Sequence, residues 1–160
     1  MQLQFRIEEA KSKELIKFVR MLIDFYHSQG MPLGGGAGKN SRYFMYIANE
    51  KGSVEQSSPQ QDFIVAVAWL HDNTPFRYIA QDYKIPNDRS YFIRRITKTA
   101  PGDYAVNFLI DLAKKLKNDG FEVLWTLGFP DHSNALYKKA GFVEVGKTNR
   151  TGHPIFIKKL

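Results

Sequence analysis

"NFLIDLAKKLKNDGFEVLWTLGF" (residues 107–129), followed at 134–146 by "NALYKKAGFVEVG", sets the architecture of this chain. With Ala105 leading, Phe108, Leu109, Leu112, Ala113 and Leu116 recur at helical spacing. Lys114, Lys115 and Lys117 lie largely off that face, so the segment reads as an amphipathic helix. Pro101-Gly102 precedes it and Gly120 ends it, as expected of a residue that takes left-handed backbone angles without a side-chain clash. "FEVLWTLGF" (121–129) then reads as a buried strand. Ser133 is placed to cap a short helix through Ala140, which Gly141 closes. A helix, a buried strand, a short helix and a further strand in succession point to an α/β chain.

Working outward, "FVEVG" and "PIFIKKL" form a terminal strand pair around the turn "TNRTGH". Upstream, "YFIRRIT" (91–97), "DFIVAVAWL" (62–70) and "RYFMYIA" (42–48) are rich in β-branched and aromatic residues and read as strands. "NEKGSVEQSSPQQ" is a polar hairpin connection between the last two, and residues 71–90, with Pro75 and Pro86, read as an irregular excursion. From about Lys11 to His27, Leu15, Phe18, Val19, Leu22, Ile23 and Tyr26 lie on one helical face, with Gly30 as the stop. "QLQFRI" (2–7) alternates as a first strand. The expected order is β-α-β-β-β-α-β-α-β-β. It describes one α/β (α+β) domain over residues 1–160, a mixed central sheet with helices on both faces.

The composition supports this reading. Hydrophobic residues are 43% of the 160 and aromatics 14%, as in a globular chain with a normal core. No cysteine is present, which excludes a thiol nucleophile, disulfides and thiolate metal sites. No apolar run approaches membrane-spanning length and the first residues do not resemble a targeting segment, so a cytoplasmic protein without a membrane partner is expected. The net charge is +7 and lopsided: residues 1–80 carry 9 basic and 8 acidic side chains, residues 81–160 carry 14 and 8. The second half thus suits an anionic partner, either a phosphorylated small molecule or nucleic acid.

"MPLGGGAGKN" (31–40) invites a phosphate-loop reading, which fails. Anchored on Gly38-Lys39, the first required glycine falls on Leu33 and the magnesium-binding hydroxyl on Asn40. The segment before it is also helical rather than a strand. A stronger anion cradle lies later, where the 91–97 strand runs through "KTAPGD" into a helix N-terminus whose unpaired N–H groups attract anions.

The block from Asn107 onward resembles the second half of the GNAT superfamily of acyl-CoA-dependent N-acetyltransferases. The late signature stands as Ala135-Leu136-Tyr137-Lys138-Lys139-Ala140-Gly141-Phe142, and the strand order derived above is also that superfamily's order. The resemblance implies acetyl-CoA or another acyl-CoA lying between splayed strands, its pantetheine paired to Ile93, Arg94, Arg95 and Ile96. It implies phosphates held by the loop Lys98 to Ala105, including Gly102, Asp103 and Tyr104, and an amine acceptor attacking the thioester directly. Tyr137 is then the acid that protonates the departing thiolate. The sequence departs from the superfamily's pyrophosphate loop: Asp103 replaces a glycine and Pro101 removes one N–H donor.

Further short elements are similar to the phage Mom-like DNA-modification proteins, also GNAT folds. They are Tyr26-His27-Ser28, Pro32 with Gly34, Gly35 and Gly36, Arg94 with Ala100-Pro101, and His132 five residues before Tyr137. This likeness implies adenine in DNA as acceptor, and it makes His27, Ser28 and the glycines substrate-binding. His132 beside Asp131 suits a general base oriented by a carboxylate, or a plain helix entrance. His27 at a helix end suits either a substrate contact or, as a cation, the helix dipole. Arg94 and Arg95 alternate along a strand, so one is expected in the cleft and the other in solvent. The histidines lack metal-ligand spacing and no metal is expected. Three readings remain open: an N-acyltransferase of unknown acceptor, a DNA-modifying enzyme, and a GNAT-shaped binding module without turnover.

Overall fold

The computed structural model describes residues 3–31, 40–50 and 62–160. Gly34, Gly35 and Gly36 lie outside the described residues. In chain order the elements are β1 (Leu3–Ala10), α1 (Lys13–Tyr26), β2 (Arg42–Glu50), β3 (Phe63–His71), a 3-10 turn (Thr74–Phe76) leading into α2 (Arg77–Asp82), β4 (Ser90–Lys98), α3 (Tyr104–Asn118), β5 (Val123–Leu127), α4 (Ala135–Lys139), β6 (Val143–Lys147) and β7 (Pro154–Lys159). The strands form one seven-stranded sheet in the order β1-β2-β3-β4-β5-β7-β6. Every neighbouring pair is antiparallel except β4 and β5. The parallel step follows from the crossover through α3, the kind of connection that parallel strands require.

The central strands are continuous hydrophobic runs because both faces are covered. On one face Tyr43, Met45 and Ile47 of β2 join Val67 and Trp69 of β3 beneath Val19 and Ile23 of α1. On the other, Phe44, Tyr46 and Ala48 with Ala66 and Ala68 pack against Phe108, Leu109 and Leu112 of α3. The period of two along β2 thus divides its side chains between two cores. The architecture is a single α/β domain with a mixed sheet, as the sequence pattern indicates.

Several local expectations are corrected. The excursion 71–90 contains α2, whose Ala80 packs with Phe92, Trp125 and Ile155 in a third, smaller core. The buried face of α1 is narrower than its apolar pattern. Val19 and Ile23 are fully buried, whereas Leu15, Phe18 and Tyr26 are exposed, because only the stripe over β2 and β3 meets the sheet. Ser12 caps α1 by accepting from Leu15 N–H at 3.1 Å. The late helix covers Ala135–Lys139 with Asn134 in the N-cap position and Ala140 as its C-cap, while the Ser133 hydroxyl, as expected, accepts from the first helical N–H, that of Ala135, at 3.4 Å.

Candidate active site

The site begins where β4 and β5 part. They pair only at Ser90↔Val123, Tyr91↔Leu124 and Phe92↔Trp125, while β4 runs on to Lys98 and β5 to Leu127. The Thr126 hydroxyl donates to the Ile93 carbonyl at 2.8 Å at the mouth of this opening. Beyond it the β5-facing backbone edge of β4 has no strand partner among the described residues.

The closed end of the V is pinned by a buried polar network. Trp125 Nε1–H donates to Asn73 Oδ1 at 2.8 Å, Asn73 Nδ2–H to Ser90 Oγ at 2.8 Å, and Ser90 Oγ–H to the Pro86 carbonyl at 2.5 Å. Asn73 and Ser90 are each 3% exposed and Trp125 is fully buried, so these bonds satisfy groups that water cannot reach.

A bulge sets what faces the opening. Trp69 of β3 pairs with Arg95 and Leu70 with Ile93, which leaves Arg94 as the extra residue. Such an insertion breaks the strict alternation of a strand. Arg94 and Arg95 therefore both line the same cavity, and the expectation of one in the cleft and one in solvent does not hold. The cavity has a volume of about 440 Å³ and also receives His27, Phe76, Thr126, Phe129, Tyr137 and His153. Its size suits a small molecule.

The electrostatics there are consistent with one another. Burial raises the Tyr137 phenol above its ordinary range, opposed by the neighbouring Thr126 hydroxyl and the Arg95 charge, so the phenol is protonated at neutral pH. Burial and, secondarily, the Arg95 charge lower His27 to about 4. Its Nδ1 accepts from Gln29 N–H at 3.0 Å, which puts the proton of the neutral ring on Nε2. The cationic His27 that would have served the helix dipole is excluded by that pair of causes. Arg95 donates to the Gly30 carbonyl and to the Arg94 carbonyl, both at 2.9 Å. Arg94 sits 5.5 Å from the centre of the Phe76 ring.

An adjoining recess of about 400 Å³ is lined by His27, Ser28, Phe129, His132 and Tyr137, which brings two of the expected acceptor-side residues, His27 and Ser28, into one recess with Tyr137. His132 and Asp131 are exposed and no hydrogen bond joins them; the His132 ring lies against Phe129 instead. Asn134 occupies left-handed backbone angles (φ 55°) and clamps the loop. Its Nδ2 donates to the carbonyls of Phe129 and His132 at 3.0 and 2.9 Å, and its Oδ1 accepts from Phe129 N–H at 3.2 Å. A third recess, about 320 Å³, lies at the N-terminus of α3 between Lys98, Gly102, Asp103, Ala105 and Lys139. Asp103 precedes the helix without capping it through its side chain, and Lys98 Nζ donates to the Gly102 carbonyl at 3.3 Å. The Tyr104 ring instead turns inward, against Phe5.

Thr126, Phe129, Asn134, Phe76 and His153 were not singled out from sequence. Asn134 alone carried a signal, since asparagine is enriched among non-glycine residues with positive φ. Among the described residues, no group of three or more acidic or histidine side chains is placed to hold a metal, and no helix is long and apolar enough to cross a membrane.

Solved structures share this fold at low sequence identity. A domain from Methanocaldococcus jannaschii superposes with a TM-score of 0.64 at 14% identity, covering 99% of this chain and 100% of that one. An aminoglycoside acetyltransferase in complex with coenzyme A gives 0.62 at 13% identity, over 99% and 95%. An acetyltransferase of Bacillus cereus that takes IAA in its name gives 0.58 at 13%, over 98% and 100%. The fold is that of the GNAT acetyltransferases. No family model matches the sequence. The uncharacterized protein 154 of Sulfolobus islandicus rod-shaped virus 1 is 69% identical over 157 residues, which span 98% of this chain and 97% of that protein. The chain therefore belongs to the family of that viral protein, built on a GNAT fold.

Proposed function

We propose that this protein is an N-acyltransferase that moves an acyl group, acetyl in the first instance, from acyl-CoA to an amine. The observation that carries the reading is the splay of β4 from β5 with the protonated Tyr137 hydroxyl beside it. The free edge of β4 offers backbone groups to a pantetheine amide and N–H donors to a thioester carbonyl, whose developing negative charge they stabilise. An uncharged amine attacks the carbonyl carbon, the C–S bond breaks, and Tyr137 gives its proton to the departing sulfur. Lys98, Lys139 and the first N–H groups of α3 hold the phosphates, although Asp103 lines the same recess and Pro101 contributes no donor. In this mechanism His132 serves as a base without an Asp131 partner.

The test is release of free thiol from acetyl-CoA across a panel of amines, for the wild type and Tyr137→Phe. The reading predicts turnover with at least one amine and a kcat lowered by on the order of 10²-fold in the variant, with KM little changed. Equal rates for the two proteins remove Tyr137 from the mechanism.

A second reading, a Mom-like transferase acting on adenine in DNA, is favoured by the convergence of His27, Ser28, His132 and Tyr137 on one recess. It predicts duplex or single-strand DNA binding that weakens steeply with salt. Salt-independent or undetectable binding counts against it.

A further inference from the structure

The cavity beside Tyr137 has a charge imbalance that acyl transfer alone does not explain. Arg94 and Arg95 both face it, with His27 and His153, and no aspartate or glutamate lines it among the described residues. Arg95 is partly buried, and its hydrogen-bond partners are two backbone carbonyls. Among the described residues it takes part in none of the ion pairs, which join Arg6, Arg42, Arg89 and Lys115 to their carboxylates elsewhere. Pro32–Lys39, which follows the end of α1, contains no acidic residue in its sequence. Keeping the Arg95 guanidinium partly buried, with backbone carbonyls as its hydrogen-bond partners, costs desolvation that an arriving negative charge would offset. Burial lowers the pKa of both, and for Arg95 the charge of Arg94 adds to the effect. Guanidinium is also the cation best shaped to take a carboxylate or phosphate through two parallel hydrogen bonds.

The rest of the lining is flat and apolar. The rings of Phe76, Phe92 and Phe129 face the cavity, with Phe76 already under the Arg94 guanidinium. We infer that the acceptor, on the acyltransferase reading above, is a small anionic molecule with a planar apolar body, its carboxylate or phosphate held by Arg95 with Arg94. Its amine is thereby directed at the thioester beside Tyr137. Polycationic amines are disfavoured by the same two charges.

Binding to the protein alone, without acyl donor, tests this. Two matched pairs are titrated by calorimetry: phenylalanine against phenethylamine for a carboxylate, and phenyl phosphate against phenol for a phosphate. A charge-assisted bond to a partly buried arginine predicts that the anion of at least one pair binds about tenfold or more tightly than its counterpart. The pair that shows the preference identifies the anionic group. Arg95→Gln erases the difference and Arg95→Lys keeps part of it, with thermal melts confirming that each variant is folded. Equal affinities within each pair, no binding by any of the four, or a preference that survives Arg95→Gln overturns the proposal. Acetyl-CoA binding is measured separately on the same protein. Its failure with the anion preference intact removes the acyltransferase reading and leaves the anion site; the converse removes only the anion site.

Discussion

Asn73 holds the closed end of the β4–β5 opening, and replacing it by leucine tests how firmly that end is set. The substitution keeps the branched heavy-atom outline of the side chain but deletes the acceptor for Trp125 Nε1 and the donor to Ser90 Oγ, both at 2.8 Å. Ser90 still donates to the Pro86 carbonyl, so its loss is one incoming bond, about 0.5–1.5 kcal/mol. Trp125 is fully buried and is left with an N–H that reaches neither protein acceptor nor water, which costs about 1–3 kcal/mol. Together Asn73→Leu is expected to destabilise the fold by about 1.5–4.5 kcal/mol. For a chain of this length that corresponds to a melting temperature lower by roughly 3–18 °C. The assay is urea unfolding at pH 7 in a double-mutant cycle with Trp125→Phe, which removes the stranded donor. The expected coupling is about 1–2 kcal/mol in favour of the double variant. Destabilisation under about 0.5 kcal/mol, or strict additivity in the cycle, refutes the claim that this network pins the strands.

His27 gives a prediction with a definite sign. An unfolded histidine takes a proton near pH 6.5 and folded His27 only near 4, so between those values the unfolded chain binds more protons. Stability present above pH 6.5 is lost as the pH falls toward 4, by on the order of 1–2 kcal/mol after discounting for partial exposure. Urea melts of wild type and His27→Gln between pH 7 and 4.5 check this, and parallel pH profiles contradict it. A Cβ at Gly128 would collide with Asn134 Oδ1 and lie 2.9 Å from the Phe156 ring. Gly128→Ala should therefore cost about 1–3 kcal/mol in thermal unfolding and loosen the loop carrying Phe129; an unchanged melting temperature shows that Asn134 moves aside freely.

The fold was legible because its punctuation is strong. Gly120 and Gly141 close the helices they follow, both with positive φ, and the alternation of Tyr43 to Ala48 marks a strand covered on both faces. What stayed hidden depends on tertiary packing. The six residues of α2 sit between two prolines and carry too little periodicity to be read, and their order comes from docking Ala80 onto Phe92 and Trp125. The bulge at Arg94 has no glycine or proline to announce it, because it arises from the register against Trp69 and Leu70. Sequence spacing therefore put Arg94 and Arg95 on opposite faces when they share one. Tyr137 was legible through its signature, whereas Asn134, immediately before that signature, matters through backbone angles that only the fold displays. Asp131 and His132 are adjacent in sequence, and adjacency did not make them partners.

The central claim is that acyl-CoA lies in the opening between β4 and β5 with its thioester beside Tyr137. Backbone amide chemical shifts, followed by NMR while acetyl-CoA is added to the wild-type protein, test it most directly. The account predicts saturable shifts concentrated at Arg94 to Lys98, the first turn of α3, and Thr126 to Gly128. Saturation without shifts in β4, or no shifts at millimolar ligand, contradicts it.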